Sequence, residues 1–293
     1  MQATDSYNPI AVTVYFAAVI VICAFTLDPI FIATSLVFSV FFFTLRSCAG
    51  CAMGSQSVYL LVFVLSAIIN PIVSHNGKTV LFLINDTPIT LEACIFGLVA
   101  SGALTSVLYW FRIFTDIMTD DKLLYVFGKI SPKLSLILSM GLRYVSMLSV
   151  QMKKIRASQT ALGLYKDDNI IDRIRGELRV FSALVSWALE NGIVTADSMA
   201  ARGYGIGKRS HFSIFSFKRR DVALVSVSLI ALAVVLSSVL TGGAEFAFYP
   251  TVSMKVTNAL GIAGYIAYGV LCALPIIIET EDSLKWKYLR SRI

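Results

Sequence analysis

The chain has 293 residues, of which 57% are hydrophobic and 15% are charged, and its formal net charge is +7. Soluble domains carry about 25% charged residues, so this composition excludes an ordinary soluble protein. The apolar residues fall in long blocks, as helices need when they cross a bilayer with about 20 residues each. The alternating segments typical of a membrane β-barrel do not occur in the sequence. We therefore predict an all-α polytopic membrane protein with about six spans.

The first 114 residues are predicted to form an N-terminal membrane domain. Its four spans lie at residues 9–26, 28–45, 57–73 and 92–114. Leu27-Asp28-Pro29 separates the first two spans and suits a tight turn between antiparallel helices. The initial sequence MQATDSYNPIA has no basic stretch before the first apolar block, so we do not expect a cleaved signal peptide.

The five cysteines are scattered along the chain: Cys23, Cys48, Cys51, Cys94 and Cys272. Cys48 and Cys51 have the spacing of a redox or metal motif. A structural metal site needs about four ligands, and neither a second cysteine pair nor a nearby histidine supplies them. We predict structural cysteines, no metal site and no cofactor.

Residues 115–220 are predicted to form a cytoplasmic or interfacial helical domain. Lys and Arg are concentrated between residues 151 and 221, and basic residues that flank spans remain on the cytoplasmic side. Two more spans, at 222–241 and 256–279, belong to a C-terminal membrane domain of residues 221–293. They lead to the basic sequence KWKYLRSRI, so both termini are expected in the cytoplasm. This topology requires that the helix at 132–150 lies along or dips into the inner leaflet without crossing it.

Two charges interrupt apolar stretches of this middle domain. Arg143 lies within LILSMGLRYVSML, and Glu190 lies within SALVSWALENGIV. Charged residues in such settings usually pair, so an ion pair between Arg143 and Glu190 is one hypothesis. The alternative is that each side chain extends separately to water or to lipid headgroups.

Residues 169–202 are predicted to form a long amphipathic helix. Apolar residues recur at three- and four-residue spacing at Ile171, Ile174, Leu178, Phe181, Leu184, Val185, Ala188 and Leu189. Gly203 suits the left-handed conformation that ends many helices. Arg202 then lies in the last turn, where the helix dipole favours a cation.

A second segment matches this helix end without gaps. Residues 156–165 align on residues 196–205, so that Ser158 pairs with Ser198, Ala161 with Ala201 and Gly163 with Gly203. Small residues let another surface approach the backbone closely. From the residues alone, each of the two ends fits a docking element as well as it fits an ordinary helix cap.

The sequence ADSMAARGYG resembles the second Ala-Arg-Gly signature of the transmembrane T component of energy-coupling factor (ECF) transporters, and ASQTALG resembles the first. The resemblance extends over nearly the whole chain through NPI, LDP, PITLEA, SWALENGIVTADSMAARGYG and TGGAEFAFYP. One position departs from the family, because Leu162 replaces the arginine of the first signature. An ion pair of that arginine with a partner therefore cannot form at this end, so either this end docks by apolar contact or the other end carries more of the coupling.

The resemblance implies a non-catalytic scaffold in the cell membrane of a bacterium or archaeon. Two ATP-binding-cassette (ABC) ATPase subunits would dock on the two signatures, Ala161-Leu162-Gly163 and Ala201-Arg202-Gly203. A separate membrane-embedded S component would bind a vitamin or a metal ion for uptake. The sequence has no G-x-x-x-x-G-K-[ST] phosphate-binding loop, which agrees with nucleotide binding by partner subunits.

Other classes of function fit the sequence less well. An enzyme needs a convergent set of catalytic groups, and the only histidines, His75 and His211, fall on opposite sides of the predicted membrane. A self-contained ABC permease would line its own substrate path and would present one dominant coupling helix rather than two. A nucleic-acid partner is not expected, because the basic segment has few interleaved aromatic residues.

Overall fold

The computed structural model describes residues 3–46, 49–74, 77–84, 87–164, 170–207, 215–242, 244–249, 253–256 and 259–290. After a short 3-10 helix at Ala3–Ser6, the elements follow in chain order: α1 (Pro9–Phe25), α2 (Pro29–Arg46), α3 (Ala49–Val73), β1 (Val80–Ile84), β2 (Thr87–Thr90), α4 (Leu91–Ile117), α5 (Asp120–Ile130), α6 (Pro132–Ala161), α7 (Ile170–Ala201), α8 (Arg219–Leu240), β3 (Ala244–Ala247), β4 (Ser253–Val256) and α9 (Ala259–Arg290).

The chain divides into two compact units. The first, which we call the bundle unit, contains Met1–Asp120 and Phe215–Ile293. The second, the hairpin unit, contains Asp121–Ile214. The two predicted membrane domains thus contribute to one unit, and the hairpin unit falls within the predicted middle domain of residues 115–220.

Within the described ranges, six helices are long and apolar enough to cross a membrane, as expected of a polytopic membrane protein. They are α2, α3, α4, α6, α8 and α9. This set differs from the predicted one in two members. Helix α1 has 17 residues, a length of about 26 Å, and so falls just short of a hydrocarbon core of about 30 Å. Helix α6 meets the criterion although the sequence analysis places its first part along the inner leaflet.

The starts of two bundle helices follow from local capping chemistry. Asn8 precedes α1 in an extended conformation, and its side chain accepts a hydrogen bond from the Ile10 amide, while Pro9 opens the helix. Thr90 caps α4 in the same way through the Ala93 amide. Glu92, in the first turn of α4, accepts a hydrogen bond of 2.7 Å from the Thr79 hydroxyl. This glutamate therefore has a structural role at the helix start.

Two short antiparallel β-hairpins were not predicted from the sequence. Strands β1 and β2 pair in the connection between α3 and α4, and β3 and β4 pair between α8 and α9. The second hairpin is held on the bundle by aromatic contacts. Phe248 packs edge-to-face on Phe96 of α4, with ring centroids 5.2 Å apart, and also contacts Phe246.

The core of the bundle unit is rich in aromatic side chains. Trp110 of α4 is fully buried and packs edge-to-face on Phe16 of α1. Its indole N–H donates a hydrogen bond of 2.9 Å to the Ser35 hydroxyl of α2, which satisfies the one polar atom of the ring. The Tyr15 hydroxyl of α1 donates to the Leu271 carbonyl of α9. These contacts join α1, α2, α4 and α9 into a single packed core.

Candidate functional site

The candidate site lies in the hairpin unit, where α6 and α7 run antiparallel. The Tyr144 and Thr195 hydroxyls lie 3.3 Å apart. Further along the pair, the Arg156 guanidinium donates to the Glu177 carboxylate. At 1.5 Å of rise per residue, this pairing places the C-terminal ends of α6 and α7 at opposite ends of the pair, on the order of 40 Å apart.

The C-terminal end of α7, which we call tip 2, contains Ala201, Arg202 and Gly203. Gly203 has φ of +79°, the left-handed conformation that the sequence predicts. The Gly203 amide donates to the Ala200 carbonyl, and the Tyr204 amide donates to the Met199 carbonyl. These two bonds form a Schellman motif, which satisfies carbonyls that have no partner within the helix.

The C-terminal end of α6, tip 1, contains Ala161, Leu162 and Gly163 and repeats this geometry. Gly163 has φ of +69°. The Gly163 amide donates to the Thr160 carbonyl, and the Leu164 amide donates to the Gln159 carbonyl. Each bonded pair lies 40 residues before its counterpart in tip 2, so the two helix ends have the same register as the gapless sequence alignment.

The two tips differ in chemistry although their backbones are alike. Leu162 is 72% exposed at tip 1, whereas Arg202 is exposed at the equivalent position of tip 2. The structure gives the Arg202 guanidinium no hydrogen bond or ion pair with another residue in its described ranges. Tip 2 also exposes Ile206. One end therefore presents an apolar side chain and the other a cation next to an apolar side chain.

Tip 1 is braced against α7 by residues that the sequence analysis did not select. The Arg179 guanidinium donates a hydrogen bond of 3.2 Å to the Leu164 carbonyl, just beyond the tip. The Arg156–Glu177 ion pair lies one turn before the tip. The only sequence signal for this bracing is a group of charges on the polar sides of the two helices, and a charge pattern does not reveal which charges meet across a helix pair.

The hypothesised ion pair between Arg143 and Glu190 does not form. Both side chains are exposed, and no ion pair joins these two described residues. The helix period explains this result. Arg143 lies one residue, or about 100°, from Tyr144 on α6, and Glu190 lies five residues, or about 140°, from Thr195 on α7. Neither residue therefore shares the face through which Tyr144 and Thr195 meet.

Some residues singled out in the sequence lie outside the described residues. These are Cys48, His75 and His211. In the part of the chain that the structure describes, no group of three or more His, Cys, Asp and Glu side chains is placed to hold a metal ion. The described geometry thus leaves the two tips as the candidate site.

No protein-family model matches the chain, and no curated protein is significantly similar to it.

Proposed function

We propose that this protein is the membrane scaffold, or T component, of an ECF-type ABC importer. In this proposal, tips 1 and 2 each dock on one ATPase subunit, and an S component in the same membrane supplies a vitamin or metal ion. The chain itself has no catalytic role, and the partner ATPases hydrolyse ATP. The membrane is the cell membrane of a bacterium or archaeon.

The observation that carries the proposal is the repeated cap geometry of the two tips. The capping of one helix does not explain why a second helix ends in the same sequence register. Docking of two similar ATPase subunits does explain it, because each subunit requires a similar docking element. The separation of the tips, on the order of 40 Å by helix rise, suits contacts with two different subunits. The resemblance of ADSMAARGYG and ASQTALG to the two family signatures points to the same role.

The distribution of charge at one end of the bundle unit supports a cytoplasmic location for both termini. Arg46 at the end of α2 donates to Thr4, near the start of the chain, and Asp221 near the start of α8 accepts from the Asn8 amide. These contacts bring the N-terminal segment, the end of α2 and the basic start of α8 to the same end. Basic residues concentrate on the cytoplasmic side of membrane proteins, so this end is assigned to the cytoplasm.

The proposed mechanism is mechanical. ATP binding brings two ABC subunits together, and subunits that hold the two tips would then displace one tip relative to the other. Helices α6 and α7 are about 45 and 48 Å long. Each is therefore longer than the hydrocarbon core of a bilayer is thick, about 30 Å, and can transmit such a displacement over that distance. Arg202 would anchor tip 2 through a carboxylate of its ATPase, and Leu162 would anchor tip 1 by apolar contact.

The test is copurification of the detergent-solubilised chain with its ATPase pair, for the wild type and for Arg202→Glu. If the Arg202 contact is desolvated, loss of one partner costs about 3–5 kcal/mol, equivalent to a complex about 10²- to 4 × 10³-fold weaker. If the contact lies at an exposed rim, the cost is about 0–1 kcal/mol and the affinity falls by less than about tenfold. The size of the loss therefore measures how deeply tip 2 is buried in the complex.

Arg143→Glu is the matched control, because Arg143 is also an exposed arginine of the hairpin unit and belongs to neither tip. We expect Arg143→Glu to copurify with the ATPases like the wild type. Equal copurification of Arg202→Glu would refute a desolvated contact between Arg202 and its ATPase. Failure of the wild type to bind any ABC ATPase would refute the scaffold function itself.

A further inference from the structure

The two covalent connections between the bundle unit and the hairpin unit leave the bundle at the ends of α4 and α8. The chain exits the bundle unit at Asp120, just after α4, and returns to it at Phe215, just before α8. Both helices pack against α1. Any force that the hairpin unit passes along the chain therefore enters the bundle through these two helix ends.

The end of α4 is anchored by Arg46, the last residue of α2. The Arg46 side chain is only 7% exposed, and its Nε atom donates to the Asp116 carboxylate at 3.2 Å. Its Nη1 atom donates to the Thr4 hydroxyl at 2.9 Å. A single guanidinium thus connects α4 with the N-terminal 3-10 helix, because its donors point in different directions in a fixed plane.

The start of α8 is anchored by Asp221, which is 3% exposed. One carboxylate oxygen accepts a hydrogen bond of 2.9 Å from the Asn8 amide. The other accepts a hydrogen bond of 2.8 Å from the Lys218 amide, which caps the helix. Asp221 therefore fixes the first turn of α8 and binds that turn to the N-terminal segment.

The segment between the two anchors, Thr4–Asn8, is short and is buried at both ends. Thr4 and Asn8 are 7% and 2% exposed, so both of its ends are buried. The Asn8 side chain is already committed to the Ile10 amide at the start of α1, which fixes the orientation of the Asn8 backbone. We call residues Thr4–Asn8 the strap.

We propose that the strap ties the ends of α4 and α8 together, so that a displacement of the hairpin unit moves the bundle helices as one body. Without the strap, the two helix ends would be coupled only through their packing against α1, and part of the displacement would be lost as local rearrangement. This inference rests on the proposed scaffold function. It assigns Thr4, Arg46, Asn8 and Asp221 as positioning residues of that function.

The first experiment uses the full chain alone, in detergent, and compares amide hydrogen exchange in the wild type and in Thr4→Val. The substitution removes the hydroxyl that accepts from Arg46 and nearly conserves side-chain volume. It leaves the Arg46–Asp116 pair and both hydrogen bonds of Asp221 in place. If the strap couples the two anchors, loss of the hydrogen bond between Arg46 and Thr4 raises hydrogen exchange at the Asn8 and Lys218 amides. The expected increase is about two- to tenfold, the range that corresponds to the free energy of one hydrogen bond.

Lys285→Gln is the control for this experiment. It removes an exposed ion pair with Glu281 on α9, in the same unit, and leaves the hydrogen bonds of Thr4 and Asn8 in place. We expect no change in exchange at Asn8 or Lys218 in this variant. If Thr4→Val increases hydrogen exchange only in the first residues of the chain and not at the Lys218 amide, the strap proposal is overturned, because the two anchors are then independent.

The second experiment uses the complex with the ATPase pair and follows the response of bundle amides to added ATP. In Thr4→Val we expect the ATPases to remain bound and to release phosphate from ATP, while the ATP-dependent exchange change in the bundle unit falls at least severalfold. A simple loss of stability would increase exchange with and without ATP alike and would not remove the response to ATP. An unchanged ATP response would overturn the strap.

The two failures are distinguishable. If the wild-type chain forms no complex with an ABC ATPase, the scaffold function fails, and the exchange experiment on the chain alone still tests the tie between the anchors. If the complex forms and only the Thr4→Val prediction fails, the scaffold function stands and the strap is rejected.

Discussion

The glycines of the two tips allow a prediction about three matched glycine-to-alanine substitutions in the hairpin unit. Gly163 and Gly203 have φ of +69° and +79°, whereas Gly192 lies within α7 and does not have a positive φ. A β-carbon at Gly163 or Gly192 would meet no atom within 4 Å, and one at Gly203 would meet only Ile206 at an ordinary 3.7 Å. Steric clash with neighbours therefore contributes little at any of the three positions.

The backbone conformation alone then decides the sign of each effect. A left-handed conformation costs a residue with a β-carbon about 1–2 kcal/mol, so Gly163→Ala and Gly203→Ala should destabilise the tips by that amount. Alanine is favoured over glycine inside a helix by about 0.5–1 kcal/mol, so Gly192→Ala should stabilise α7. The three variants make the same chemical change and are expected to differ in the direction of their effect.

Amide hydrogen exchange of the Leu164 and Tyr204 amides is the direct assay, because these amides close the two Schellman motifs. A cost of about 1–2 kcal/mol corresponds to exchange about 5- to 30-fold faster at the substituted tip. Gly192→Ala should leave both amides as protected as in the wild type, or more so. Unchanged protection in Gly163→Ala or Gly203→Ala would show that the tips do not hold the left-handed conformation, and the reasoning would be refuted.

Two other properties of the bundle unit can be tested in the same preparation. Gly264→Leu should lower the free energy of unfolding by about 1–3 kcal/mol, because a β-carbon there would lie 2.5 Å from the Ser238 oxygen and 3.0 Å from the Ser238 β-carbon. Thermal unfolding in detergent measures this loss. Gly269→Leu is the control, because a β-carbon at Gly269 would meet no atom within 4 Å, and it should cost little stability if the helix contact at Gly264 is the cause. Burial raises the pKa of Tyr7 above its ordinary value of 10.0, against the opposing effect of Arg220. Since the folded-state pKa is the higher one, the contribution of neutral Tyr7 to stability is present below pH 10 and is lost as the pH rises through the folded-state pKa. Tyr7→Phe should therefore lose less thermal stability than the wild type between about pH 9 and 11, and an equal loss in both would contradict this role of Tyr7.

The elements that the sequence predicts well are those governed by local interactions. Helix α7 and its glycine cap follow from apolar spacing and from bonds between residues at most five positions apart. The equivalence of the two tips likewise needs only a short alignment. The long apolar blocks correspond to long helices because a bilayer span requires continuous backbone hydrogen bonding within one segment.

Contacts between distant segments depended on the tertiary structure. Arg143 and Glu190 were expected to pair because both interrupt apolar stretches, but the rotation of α6 against α7 decides which residues meet. An ion pair that does join the two helices uses Arg156 and Glu177, which have no unusual sequence context.

The strap shows the same division most clearly. The sequence by itself determined that the chain forms long membrane-spanning helices and that α6 and α7 end in equivalent caps, because hydropathy, helix period and capping act over a few neighbouring residues. Only the tertiary structure joined Arg46 to Asp116, 70 residues later, and Asn8 to Asp221, 213 residues later. A charge or amide carries no local signal of such a partner, since the pairing is decided by which helix ends the packed core brings together.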